Sequence, residues 1–102
     1  MARLTKLFCS EVGVTEEMLA STARHKAISD NRHILMWLIY KNTNQSYPAI
    51  GRKFGRRDHT SVLHAVRKIN NSSSLLKRAR LIEKAVLFAE FQEYSDNVGG
   101  EQ

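Results

Sequence analysis

The chain has 102 residues, enough for one domain with a modest core that needs neither metal nor disulfide to fold. Its 16 Lys/Arg against 10 Asp/Glu give a formal charge of +6, a balance that favours polyanions, nucleic acid ahead of an anionic membrane surface. A single cysteine, Cys9, excludes an internal disulfide and reads as a half-buried thiol in a reducing compartment, and no run is long and apolar enough for a bilayer span or a signal segment.

Leu4, Leu7, Phe8 and Val12 follow helical spacing and predict a short first helix closed by Gly13. Thr15 reads as the N-cap of a second short helix, with Glu16 and Glu17 in its first turn and Met18, Leu19 and Ala20 following. Ser21 to Ser29 lacks an apolar period and reads as a basic loop carrying Arg24, His25 and Lys26. Asp30 then reads as the N-cap of the central core helix, Asn31 to about Lys41. Ile34, Leu35, Leu38 and Ile39 form its strong face, which Met36, Trp37 and Tyr40 widen. Ser46 caps a short helix to about Phe54, with Pro48 in the first turn and Gly55 ending it in a left-handed conformation. A further helix runs from the Asp58 cap to Ile69, with Val62, Val66 and Ile69 inward and Leu63 beside them. Asn70 to Ser74 breaks the pattern. The last helix spans about Leu75 to Tyr94, with Leu75, Leu76, Ala79, Ile82, Val86, Ala89 and Phe91 as packing positions. Strand signals are nearly absent, so the fold class is all-α, about six helices. Residues 1–95 form the single domain and residues 96–102 a flexible tail.

The segment Arg52 to Lys68 holds six of the 16 bases and one of the 10 acids, a concentration that suggests a surface. Two short helices joined by Gly55-Arg56-Arg57 have the length and glycine chemistry of a helix-turn-helix, whose second helix enters the major groove N-terminus first. The residue types suit that task. Asp58 accepts from cytosine, and Thr60 offers a methyl and a hydroxyl. His59 and His64 donate to base or phosphate, and Arg57 forks onto guanine or clamps phosphate. Arg67 and Lys68 are placed for the backbone.

Gly51 to Ile69 closely resembles the signature of the C-terminal DNA-binding domain of the DnaA family of bacterial replication initiators, G-R-x-F-G-G-R-D-H-T-T-V-L-H-A-x-R-K-I. Ser46-Tyr47-Pro48-Ala49-Ile50 extends it weakly, and Val12-Gly13-Val14-Thr15 resembles the segment that opens the domain. The resemblance implies a Trp-repressor-like helical domain and base reading by Arg57, Asp58, His59, Thr60 and Ser61. It implies minor-groove contact by Arg24, with Lys26 as second candidate. It places Arg32, His33, Tyr47 and Pro48 at or near phosphate, with Arg56 adding a charge to the turn. A bacterial cytoplasmic location at the nucleoid, monomeric binding to double-stranded DNA and a site near TTATCCACA follow from it. The chain departs from the family at Ser61 (usually Thr), Arg56 (usually Gly) and Asp30-Asn31 (often Arg-Pro or Arg-Ala), which predicts a shifted or weaker site. The family's ATPase module has no counterpart, since no G-x-x-x-x-G-K followed by S or T occurs. The leading Met1 and the tail favour a complete small regulator over an excised domain.

Other readings compete. Asp58 also serves as a plain cap, Arg24 as a solvated charge, and Trp37 reads as core. His59 and His64 are wrongly spaced for a helical metal pair, so no metal or cofactor is expected. No spacing marks a nucleophile and base, so no enzyme is expected. Two rival functions remain. One is a protein-docking module for a replication or transcription partner, using Leu81, Leu87, Phe88 and Phe91 of the last helix. The other is non-specific RNA or single-strand binding through the basic face.

Overall fold

The computed structural model describes residues 1–21, 25–55 and 57–99, the last four of these by backbone only. Among the described residues there are six helices and no strand: α1 (Ala2–Val12), α2 (Glu16–Ala20), α3 (Lys26–Asn42), α4 (Tyr47–Lys53), α5 (His59–Asn71) and α6 (Ser73–Gly99). The all-α expectation holds. So do most of the helix signals. Gly13 closes α1 at φ 81°, its N–H bonded to the Cys9 carbonyl. Thr15 Oγ1 accepts from the Met18 N–H at 3.1 Å, and Ser46 Oγ from the Ala49 N–H at 3.3 Å.

The central helix α3 carries the core. Ile34, Leu35, Met36, Trp37, Leu38 and Ile39 are all buried, because α1, α2, α4, α5 and α6 all pack around it. Burial on nearly every side requires a helix apolar all round, and that is what this run supplies. Trp37 is core, as expected, and its Nε1–H donates to Asn70 Oδ1 at 3.0 Å, which ties α3 to α5. Val62, Ala65, Val66 and Ile69 form the inner stripe of α5, with Leu63 half-buried beside them.

Several boundaries differ from expectation. Helix α3 begins at Lys26, not Asn31, so Asp30 is no cap; it lies inside the helix and is buried. Residues 26 to 29 contain no Gly or Pro, and Lys26 pairs with Asp30 one turn on (3.0 Å), so nothing stops the helix there. The break expected over Asn70 to Ser74 shrinks to Ser72, whose Oγ accepts from the Leu75 N–H at 3.3 Å. Helix α6 continues to Gly99, past the expected end near Tyr94 and through four residues assigned to the tail. Ala79 and Val86 of α6 are fully buried, but Phe91 is 62% exposed and does not pack. It lies off the stripe through residues 79, 82 and 86 that α6 turns inward. Tyr40 likewise faces outward, stacked on Tyr47 with ring centroids 4.5 Å apart.

Candidate nucleic-acid interface

Helices α4 and α5 pack on each other and on α3, with Phe54 and Gly55 completing the described turn between them. Two glycines make that turn possible. Gly55 has φ 79°, and a Cβ there would sit 2.7 Å from the Ala20 carbonyl oxygen, so the turn lies against the end of α2. Gly51 is buried, and a Cβ on it would fall 2.1 Å from the Arg57 carbonyl oxygen. The chain leaving the turn crosses over this bare α-carbon, and the Arg57 N–H donates to the Gly51 carbonyl at 2.9 Å.

The crossing delivers Asp58 to the N-cap of α5. Its Oδ1 accepts from the Ser61 N–H at 2.9 Å, and the backbone N–H of Ser61 is the main reason its carboxyl lies below the ordinary range. Asp58, His59, Thr60 and Ser61 are all exposed. Helical spacing then continues the outer face in two rows, Thr60–His64–Arg67 and Ser61–His64–Lys68, and each of these residues is exposed. Tyr47 and Pro48 open α4. The Tyr47 phenol is pushed up, first by its hydrogen bond to Tyr40 and then by partial burial, while the Arg67 charge pulls it down.

Two arginines expected at this surface turn inward. Arg57 donates from Nη1 to the Phe54 carbonyl and from Nη2 to the Ser21 carbonyl at 3.0 Å. Arg32 is 5% exposed; its Nε donates to the Leu19 carbonyl at 2.6 Å and its Nη2 to the Ser21 carbonyl at 3.0 Å. The last carbonyls of α2 lack intrahelical partners, and these guanidiniums satisfy them. Arg32 thereby joins the end of α2 to α3. Burial and then the nearby Arg57 charge lower the Arg32 pKa. Arg24 and Arg56 lie outside the described residues.

Lys26, expected in a loop, is the first residue of α3, and with Lys68 it flanks Asp30. His33 is half-buried, with Nδ1 3.2 Å from Lys68 Nζ. An ammonium only donates, so Nδ1 accepts. Burial first, then the Lys68 charge, lower the His33 pKa to about 4, so the ring is neutral near pH 7. Among the described residues no group of three His, Cys, Asp or Glu could hold a metal ion, and no helix is long and apolar enough to cross a membrane. The sequence reading missed Gly51, although a glycine inside a helix is itself a signal of close approach, and it missed the pairing of Asp30, whose i,i+4 spacing to Lys26 was visible while Lys68, 38 residues on, was not.

A family model described as the bacterial dnaA protein helix-turn-helix matches residues 1–69. The chain belongs to this family. The chromosomal replication initiator protein DnaA of Caulobacter vibrioides (strain NA1000 / CB15N) is 44% identical over 66 residues, covering 65% of this chain and 14% of that protein. DnaA of Agrobacterium fabrum is 43% identical over 68 residues (67% and 14%), and DnaA of Mesorhizobium japonicum 36% over 87 residues (81% and 18%). The matches span 14 to 18% of the length of these DnaA relatives. Within the DnaA helix-turn-helix family match fall α1 to α4 and all but the last two residues of α5, so both helices of the motif and the turn between them belong to it, and α6 lies beyond.

Proposed function

We propose that the chain binds double-stranded DNA, as a monomer, at sites resembling TTATCCACA, and acts as a replication- or transcription-related regulator at the bacterial nucleoid. The observation that carries this reading is the exposed block Asp58, His59, Thr60 and Ser61 on the first turn of α5, presented by a turn that only Gly51 and Gly55 permit. In this reading the block meets base edges in the major groove, with Asp58 also capping α5 through its Oδ1. Arg57 reaches DNA only by leaving the Ser21 carbonyl. In this reading Tyr47, Pro48, His64 and Arg67 meet the flanking phosphates, and Arg24 is the residue assigned to the adjacent minor groove. Arg56 adds charge to the turn. No catalytic or ATP-hydrolysing role is assigned to the chain.

Fluorescence anisotropy on one duplex with TTATCCACA and one shuffled duplex, at two salt concentrations, tests the reading. Preference for the box retained at the higher salt is the expected result; equal binding that collapses with salt would sink it and favour a merely basic surface. His59→Ala or Thr60→Ala should cost roughly 1–3 kcal/mol on the box and little on the shuffled duplex. A second reading, docking of a replication or transcription protein on α6, is favoured by the exposure of Leu81, Phe88, Phe91 and Tyr94, each above 60%. It predicts that the α5 substitutions leave function untouched.

A further inference from the structure

One carboxylate lies beneath the edge of the surface assigned to DNA. Asp30 sits in the second turn of α3 with a side chain only 8% exposed. Its Oδ2 accepts from Lys26 Nζ at 3.0 Å and its Oδ1 from Lys68 Nζ at 3.3 Å. Lys26 begins α3, and Lys68 shares the outer row of α5 with Ser61 and His64. Lys68 also donates to His33 Nδ1, so two of its three N–H groups are engaged within the protein. Both lysines therefore face solvent, at 85% and 43% exposure, with their charge already shared by one buried anion.

We propose that Asp30 attenuates phosphate binding by holding Lys26 and Lys68, which lowers the sequence-independent part of DNA affinity while leaving base reading to the start of α5. This rests on the DNA-binding reading above. A phosphate that drew either ammonium away would leave a nearly buried carboxylate with one partner fewer, and stranding a buried charge is costly. The lysines therefore stay with Asp30. Burial alone would raise the Asp30 pKa, but the two lysines outweigh it and keep the carboxylate ionised.

The test compares the wild-type chain with Asp30→Asn on the box and shuffled duplexes over a salt series. Asparagine keeps the size and an acceptor but not the charge. The variant should bind both duplexes on the order of five- to tenfold tighter at low salt, with a log–log salt slope steeper by about one to two. The ratio between duplexes should stay within about twofold. Unchanged or weaker binding by Asp30→Asn overturns the proposal. Adding Lys26→Gln and Lys68→Gln to Asp30→Asn must abolish the gain, and Glu11→Gln, which makes the same change in formal charge at an exposed site, must not reproduce it; failure of either overturns the proposal. If Asp30→Asn does not fold, the single lysine variants in the wild-type chain decide. Each should weaken binding by less than about twofold, and a loss above about fivefold refutes attenuation. Wild-type chain that binds neither duplex sinks the DNA reading itself, whereas wild-type binding with an unresponsive Asp30→Asn sinks only the attenuator.

Discussion

Three glycines carry backbone demands of rising severity. Gly13 has φ 81°, and a Cβ on it would meet nothing within 4 Å, so Gly13→Ala meets only left-handed strain, about 1 kcal/mol. Gly55 adds the Ala20 carbonyl oxygen at 2.7 Å to the same strain, and Gly51 would place a Cβ 2.1 Å from the Arg57 carbonyl oxygen. Urea denaturation should therefore rank the alanine variants Gly13, Gly55, Gly51 in increasing loss, with Gly51→Ala costing more than about 3 kcal/mol. An equal loss for all three would mean that the turn relaxes freely. His33 supplies a pH signature. Its folded pKa of about 4 lies below the ordinary 6.5, so the unfolded chain takes up the proton first. The stability from the neutral ring is complete above pH 6.5 and declines as pH falls toward 4. Thermal melts at about pH 7 and about pH 4.5 should differ less in His33→Gln than in the wild-type chain.

Among the helices, α6 divides most sharply between what packs and what does not. Val86 is fully buried and Phe91 is 62% exposed, although Phe91 is the larger apolar residue. Val86→Ala should cost about 2 kcal/mol, from two lost methyl groups and the space they leave. Phe91→Ala should change stability by less than about 0.5 kcal/mol, since a surface side chain loses little on truncation. Chemical denaturation of the pair checks this, and a larger loss from Phe91→Ala would show that the end of α6 is packed in solution. The link between α3 and α5 is polar as well as apolar. Asn70 to Trp37 and Lys68 to Asp30 and His33 both anchor the last turn of α5 on α3, so the position of α5 depends on the core helix.

The molecule as a whole is elongated, 47 × 27 × 24 Å, because α6 runs well beyond the bundle that α3 organises. Its basic residues are not spread evenly over that length. Arg32 and Arg57 stitch the end of α2 to the core and the turn, Lys41 pairs with Glu83 at 2.9 Å, and Lys26 and Lys68 share Asp30. The paired acids are already counted in the formal charge of +6; the inward turn of Arg32 and Arg57 is what takes positive charge away from the surface. In these terms the box preference and the salt slope measure different parts of the protein. Under the proposed function, the first belongs to the start of α5 and the second to cations such as Arg67 that the fold leaves outward.

By itself, the amino-acid sequence determined the helical class, most of the caps, the core run Ile34 to Ile39, the turn at Gly55 and the family signature from Gly51 to Ile69. Each of these is written in local chemistry: apolar spacing, a hydroxyl or carboxylate before a first turn, a glycine where φ is positive. Only the tertiary structure decided the fates of Arg32, Arg57, Asp30 and Phe91. An arginine at a helix start looks the same in sequence whether it faces water or the orphan carbonyls of another helix, and the residues that decide between them lie 11 to 36 positions away. Asp30 read as a cap because Asp caps helices; Lys26 at one turn and Lys68 at 38 residues' distance made it an interior anion instead. Spacing within one helix marks a face, but which face is covered depends on where its neighbours end.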